Sequence, residues 1–491
     1  MSSDSSLTRY KSLSYLANLI RTREVSPVEV LESCIKDIEK INPKLNAFVH
    51  FGFQEALLEA KASEEKLNRG ELDGPLHGVP VAIKDLFDFK PGWPSTYGGI
   101  RALKNFKTDF YCSFAHLLEK SGAIIVGKTN SPTMGLRGTC DNFLFGPTKN
   151  PFNLDYNSGG SSGGSASAVA AGLLPMAEGT DGGGSIRIPA SWCGIFGYKP
   201  SFGTVPLVMR PNAFGGDTPF IFEGPLTRNV EDAAIVMSAV ASFDSSDPYS
   251  VVNTIDFNNY RDKCNRPLRI AYSPNLDVFP VDPRIKDVVG NAARLFEDMG
   301  ATVEEVKTGF ELSQKEMSDL WCRLIMPLNI RSLDALKVAN FNLLEEHSDD
   351  FPQEYLKWIE VGKQMSAVDF LLDQERRTSI FDKIQAILTD YDLLITPTLA
   401  CLPVKNSEDG NTKGPNQIEG EDVDPLIGWC LTYPFNFTGH PAASVPAGSI
   451  DEFPVGMQVI GNRFKDDLVL SACARFEQMK PWVHTYRQIS L

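Results

Sequence analysis

The stretch from Asn157 to Gly203, NSGGSSGGSASAVAAGLLPMAEGTDGGGSIRIPASWCGIFGYKPSFG, holds the densest chemical signal of the chain. In TDGGGSIRIP, three consecutive glycines lead into Ser185. With no side chains to obstruct them, several backbone N–H groups can converge beside the serine hydroxyl, the composition of an oxyanion hole for acyl transfer. A flexible glycine turn has the same letters. Upstream, GGSSGGS satisfies G-x-S-x-G around both Ser161 and Ser162, the wording of a nucleophile elbow. That elbow requires a strand directly before it, whereas KNPFNLDYNS is expected to be turn and loop.

A serine nucleophile needs a base. His50 and His116 lie in apolar helical or strand surroundings, His347 in the acidic run EEHSDD, and His440 and His484 in turn-like or terminal segments. His77, in PLHGVP, is close in sequence to a better candidate, Lys84. Lys84 follows Val79, Val81, Ala82 and Ile83 in GVPVAIKD, and a lysine at the end of a buried strand loses hydration, which lowers its pKa. It can then work as a neutral base, although a snorkelling surface lysine fits the same letters.

The elements that must position these groups alternate between helix and strand. Ser26 and Glu29 form a capping box with Pro27 at the first helical position, and the apolar spacing that follows predicts a helical arm through about residue 65. Beyond it, helical windows precede short β-branched runs, GVPVAIKD, GAIIVGKT, PLRIAYS and YDLLITPT, an order that predicts α/β layering on a parallel or mixed sheet. GAIIVGKT matches the phosphate-loop pattern, but its glycine caps a helix and its Ile-Ile-Val core favours a buried strand where a phosphate cradle needs irregular backbone. LFEDMGATVEEV repeats the same grammar without Lys-Thr. The polar segment Gly410 to Pro425 is expected to be an exposed loop, either bordering a site or simply connecting elements.

A formal net charge of −15 lowers the case for a phosphate-tracking nucleic-acid binder. Nine scattered cysteines without a C-x-x-C pair argue against a disulfide framework and a thiolate zinc site, so no metal or cofactor is expected and a reducing cytoplasm is the expected location. The uncharged run Tyr156 to Ala177 begins with glycine and serine and lacks the apolar content of a membrane span.

Taken together, these stretches resemble the amidase signature family of serine hydrolases. The motifs GVPVAIKD, GAIIVGKTN, FGPTKNPFN, GGSSGGS, TDGGGSIRIPASWCGIFGYKP, EGPLTR, YDLLITPT and NFTGHPAASVPAG carry the likeness from about residue 70 to about residue 475. It implies a single domain over 1–491 with a large mixed, twisted sheet covered by helices on both faces. It also implies a Ser-cisSer-Lys triad with Lys84 as base, Ser161 as bridging serine after a cis Gly160-Ser161 bond, and Ser185 as nucleophile. Gly182, Gly183, Gly184 and Ser185 would supply oxyanion donors, while Asp181, Arg187 and Ser162 would support the loop. Position 182 departs from the family's common side-chain-bearing residue, which changes the steric wall there. The activity implied is hydrolysis of a carboxylic amide, and of esters or carbamates, through a seryl acyl-enzyme. The alternative is the glutamine-hydrolysing subunit of a tRNA-dependent amidotransferase. The expected partner is a small-molecule amide, without nucleic acid or membrane, and a homodimer is a candidate assembly.

Overall fold

The computed structural model describes residues 6–264 and 266–491. Among the described residues there are fifteen strands: β1 Phe48–Phe51, β2 Pro80–Lys84, β3 Ile124–Thr129, β4 Lys149–Asn150, β5 Asn153–Asn157, β6 Met176–Asp181, β7 Phe196–Lys199, β8 Phe222–Thr227, β9 Arg269–Tyr272, β10 Thr302–Glu305, β11 Leu393–Pro397, β12 Gln417–Ile418, β13 Glu421–Asp422, β14 Ala442–Ile450 and β15 Phe453–Gly461. Eleven of them build one sheet in the order β1-β3-β2-β6-β8-β7-β14-β15-β11-β9-β10. Pairing is mixed: β2 runs parallel to β3 and β6, while β8 lies antiparallel to β6. The α/β sheet expected from the sequence is therefore present.

The N-terminal segment contains α1 Leu13–Arg21, α2 Pro27–Leu45 and α3 Phe53–Asn68. The capping box at α2 is complete, with Ser26 Oγ accepting from the Glu29 amide and the Glu29 carboxylate accepting from the Ser26 amide. The arm differs from a purely helical one, because β1 breaks it and adds an antiparallel edge strand to β3. Four alternating residues between two long helices make too short a pattern to separate from helix.

Helix α4, Ser113–Lys120, ends before Gly122 at φ +89°, and β3 follows with all six residues buried. A Cβ at Gly122 would stand 2.7 Å from the His77 backbone, so glycine is required both for the turn and for the close approach. Lys128 in this strand pairs with Asp85 at 3.0 Å and donates to the Pro94 carbonyl. GAIIVGKT is a cap and a strand.

KNPFNLDYNS departs from the loop expected for it: β4 and β5 form a small antiparallel hairpin outside the main sheet. After β5, residues 158–162 turn into α5 Gly163–Ala170, so a strand does precede the serine turn. The segment 410–425 also differs from a plain exposed loop. It folds the β12–β13 hairpin, and Thr412 is buried, donating to Asp141 while its carbonyl accepts from Thr139.

Helix α6, Arg187–Trp192, packs on β14 and β15, and α7 Val230–Val240 packs on β8. The Trp192 ring of α6 stacks on Trp429 with centroids 4.8 Å apart, worth about 0.5 to 1.5 kcal/mol beyond its area burial. Helix α8, Pro283–Arg294, lies against β14, and α9, Gln314–Val338, reaches the residues around the glycine loop. None of the described helices is long and apolar enough to cross a membrane.

Candidate active site

The parallel strands β2 and β6 end side by side, which brings Lys84 and Thr180 together. Lys84 is fully buried, and its Nζ lies 2.7 Å from Ser161 Oγ, 3.0 Å from Ser162 Oγ and 2.6 Å from Thr180 Oγ1. The groups that hold it are hydroxyls. Burial lowers its pKa from 10.5 to about 8, against the opposing influence of Glu178, Asp88, Cys140 and Asp181. The lysine expected at the end of a buried strand is thus a desolvated amine in a polar cage, not a surface group. The Gly160-Ser161 peptide is cis, and Ser162 donates to the Thr180 carbonyl.

After β6 the chain makes the glycine loop, residues 182–185, before α6. Its carbonyls are tied outward: that of Gly182 accepts from Trp321 Nε1 at 2.9 Å, that of Gly183 from Thr432 Oγ1 at 2.6 Å, and that of Ser185 from the Ser162 amide at 3.1 Å. The amide of Gly184 donates to Asp181 Oδ1 at 2.7 Å. Gly184, expected with Gly182, Gly183 and Ser185 among the oxyanion donors, thus has its N–H held by a buried carboxylate. Among the described residues, the amides of Gly182, Gly183 and Ser185 have no acceptor.

Asp181 and Arg187 form a two-pronged pair, Nε to Oδ2 at 3.0 Å and Nη2 to Oδ1 at 2.8 Å, with both side chains fully buried. Arg187 also donates to the Thr432 carbonyl, Gln458 and Asn436, and Asn436 donates to Asp181. Burial favours the neutral Asp181 acid, but Arg187 outweighs it and brings the pKa down to about 2. Its carboxylate therefore stays charged at the base of the loop.

Ser161 and Ser185 both line a cleft of about 530 Å³, part of it open to solvent. Its walls are mostly apolar, including Leu86, Phe87, Met134, Leu136 and Ile221, and they contain no charged side chain and no histidine among the described residues. Helix α9 supplies one wall through Trp321, Ile325, Leu328, Asn329 and Ser332, residues that recur on a single helical face. Trp321, Thr432 and Asn436 were missed by sequence reasoning. The spacing of α9 was a visible signal, but an apolar stripe does not distinguish a cleft wall from a core face.

Two further groups stand behind Lys84. Glu178 accepts from the Lys84 amide at 2.8 Å, and Asp88, Cys112 and Glu223 each present a donor atom within 4.8 Å of the others. Among the described residues, those three have the types and spacing that could hold a metal ion.

Fold and cleft together define an α/β enzyme built around a buried lysine, a cis-linked serine and a glycine-rich serine loop. The family model Amidase matches residues 29–470, and the chain belongs to this family, the amidase signature enzymes. An acylamidase of Rhodococcus erythropolis is 34% identical over 476 residues, covering 96% of each chain. A glutamyl-tRNA(Gln) amidotransferase subunit from Legionella pneumophila is 31% identical over 495 residues, covering 96% of this chain and 97% of its own. Among solved structures, a bacterial aryl acylamidase superposes with a TM-score of 0.96 at 47% identity, over 98% of both chains. A 6-aminohexanoate cyclic dimer hydrolase superposes with a TM-score of 0.84 at 27% identity, over 96% of this chain and 98% of that one. The chain is an amidase.

Proposed function

We propose that this amidase hydrolyses an uncharged, apolar carboxylic amide, with Ser185 as nucleophile, Ser161 as bridging serine and Lys84 as base. The observation that carries the reading is the 2.7 Å approach of a lysine of pKa about 8 to Ser161, which shares the cleft with Ser185. Neutral Lys84 takes the Ser161 proton as Ser161 takes that of Ser185. The Ser185 oxygen bonds to the carbonyl carbon, and the resulting oxyanion is held by the amides of Gly182, Gly183 and Ser185. Collapse breaks the C–N bond, and the proton returns through Ser161 to the leaving amine. Water then cleaves the acyl-serine ester and releases the acid. Ser162, Asp181 and Arg187 fix the lysine cage and the loop.

The cleft walls support the substrate class. Glutamine brings a charged ammonium and a carboxylate, and burying either without a partner is costly. An aryl or alkyl acyl amide brings neither. The acylamidase relatives agree with this choice, while the amidotransferase relative keeps glutamine hydrolysis as the competing reading. All nine cysteines are free, which supports a reducing compartment such as the cytoplasm. The test is a panel of anilides, alkyl amides, esters, carbamates and glutamine assayed with the purified chain alone. Turnover of apolar amides without glutaminase activity is expected. Glutamine as the preferred substrate overturns the reading.

A further inference from the structure

Asp88, Cys112 and Glu223 come from three segments that the sequence separates and the fold joins. Asp88 lies just beyond β2, Cys112 is the N-terminal cap residue of α4, and Glu223 is on β8. The Cys112 amide donates to the Phe89 carbonyl at 3.0 Å, which ties the start of α4 to the residue after Asp88. Glu223 stands opposite Thr180 in the antiparallel β6–β8 ladder, and Thr180 holds the Lys84 amine. One donor atom from each of the three lies within 4.8 Å of the other two.

Burial and missing partners separate this cluster from an acidic surface patch. Asp88, Cys112 and Glu223 are 0%, 8% and 3% exposed. Both Asp88 oxygens and Glu223 Oε2 lack a hydrogen-bond partner among the described residues. The lysines whose charge reaches Asp88 are bonded elsewhere, Lys84 to three hydroxyls and Lys128 to Asp85. Its other charged neighbours, Asp85 and Glu178, are themselves acids. A buried carboxyl left in this state is costly, and a bound cation removes that cost.

We propose that Asp88, Cys112 and Glu223 bind one Zn²⁺ ion as a structural clamp behind the lysine cage. A thiolate beside two carboxylates selects against Mg²⁺ and Ca²⁺, which take oxygen ligands, and suits Zn²⁺. Zn–S bonds of about 2.3 Å and Zn–O bonds of about 2.0 to 2.2 Å place tetrahedral ligand atoms about 3.5 Å apart, so the three donors close in by about 1 Å on binding. Glu223 also lines a second cleft of about 360 Å³, partly open to solvent, with Ser201, Leu207, Gly216 and Asp247. That cleft is the way in for the ion and for a water as fourth ligand. Binding releases the Cys112 thiol proton to solvent. None of the three residues lines the cleft of Ser161 and Ser185, so the ion joins the exit of β2, the start of α4 and β8 without touching the substrate. The lack of a C-x-x-C pair argues against a thiolate-rich zinc site, not against one assembled from single residues of three distant segments.

The test uses the purified full chain, stripped with a chelator under reducing conditions and titrated with Zn²⁺ by calorimetry, with circular dichroism to establish folding. One Zn²⁺ per chain with submicromolar affinity is expected. Cys112→Ser and Glu223→Gln should each weaken binding by at least about a hundredfold, beyond the loss seen when only a ligand's hydrogen-bond partner is removed. Cys401→Ser, which removes a thiol elsewhere, should bind as the wild type does. No binding by the stripped wild type overturns the site, and so does unchanged binding in both ligand variants. Equal weakening in Cys401→Ser would show adventitious binding to thiols and overturn it as well.

A second readout needs no variant. Zinc K-edge absorption of the loaded wild type should show one sulfur at about 2.3 Å, with oxygen at about 2.0 to 2.2 Å for the rest. No sulfur, or two or more, overturns the assignment. Zn²⁺ at about a hundredfold excess over its Kd should also raise the Tm of the stripped chain by about 3 °C or more. An unmoved Tm overturns the clamp. None of these readouts involves turnover, so they stand or fall apart from the role of Ser185.

Discussion

At the scale of single residues, the account depends on Lys84 being neutral when it receives a proton. Its folded pKa of about 8 lies below 10.5, so lowering the pH through 8 protonates it and removes the base. Amide turnover should fall about tenfold per pH unit below that point and level off above it, read as kcat/KM against pH. Lys84→Ala should leave a folded protein whose amide turnover is reduced by at least about a hundredfold, because among the described residues no histidine lines the cleft to replace it. Near-native turnover would reject the assignment. Lys128→Ala serves as the contrast, since Lys128 pairs with Asp85 away from the serines.

At the scale of elements, the loop between β6 and α6 separates its glycines by what surrounds them. A Cβ at Gly183 would stand 2.7 Å from Ile427 and 2.9 Å from Trp321, whereas one at Gly182 would meet only Ile221 at 3.9 Å. Gly183→Ala should therefore displace the loop and reduce kcat by about a hundredfold or more, the loss expected when an oxyanion donor is misplaced. Gly182→Ala should retain turnover and narrow the range of accepted amides. Equal losses in the two variants, measured on one anilide, would contradict this division. The glycine run before Ser185 was legible in the sequence as a special loop, but Gly184 was not separable from its neighbours. Its amide is consumed by Asp181 through a turn that composition does not encode. The hairpin β4–β5 and the edge strand β1 were likewise hidden, because each is too short to show a period.

At the scale of the whole molecule, Arg187 joins β6 to the segment holding Thr432 and Asn436 and to Gln458 of β15. Asp181→Asn removes the charge facing this buried guanidinium and should destabilise the fold by about 3 to 5 kcal/mol, measured by denaturant unfolding. The sign with pH follows from a folded pKa of about 2, below the ordinary value of 3.8. The pair's contribution is complete above about pH 4 and is lost as pH falls through about 2, so the wild type should lose stability over that range more steeply than the variant. The alternation of helices and β-branched runs made the α/β sheet legible, and the apolar run before Lys84 offered a buried lysine beside a snorkelling one, a choice that burial in the structure decides. What stayed hidden was contact across distant segments. Trp321 and Thr432, 139 and 249 positions from the glycines whose carbonyls they hold, carry no local signal of that role.

The central claim is that amide hydrolysis proceeds through Ser185. The direct measurement is fluorophosphonate labelling of the purified chain, followed by peptide mass spectrometry of wild type and Ser185→Ala. The account predicts one adduct, on Ser185, formed as amide turnover is lost, and no adduct in the folded variant. An adduct on another residue, or undiminished labelling of Ser185→Ala, would contradict it.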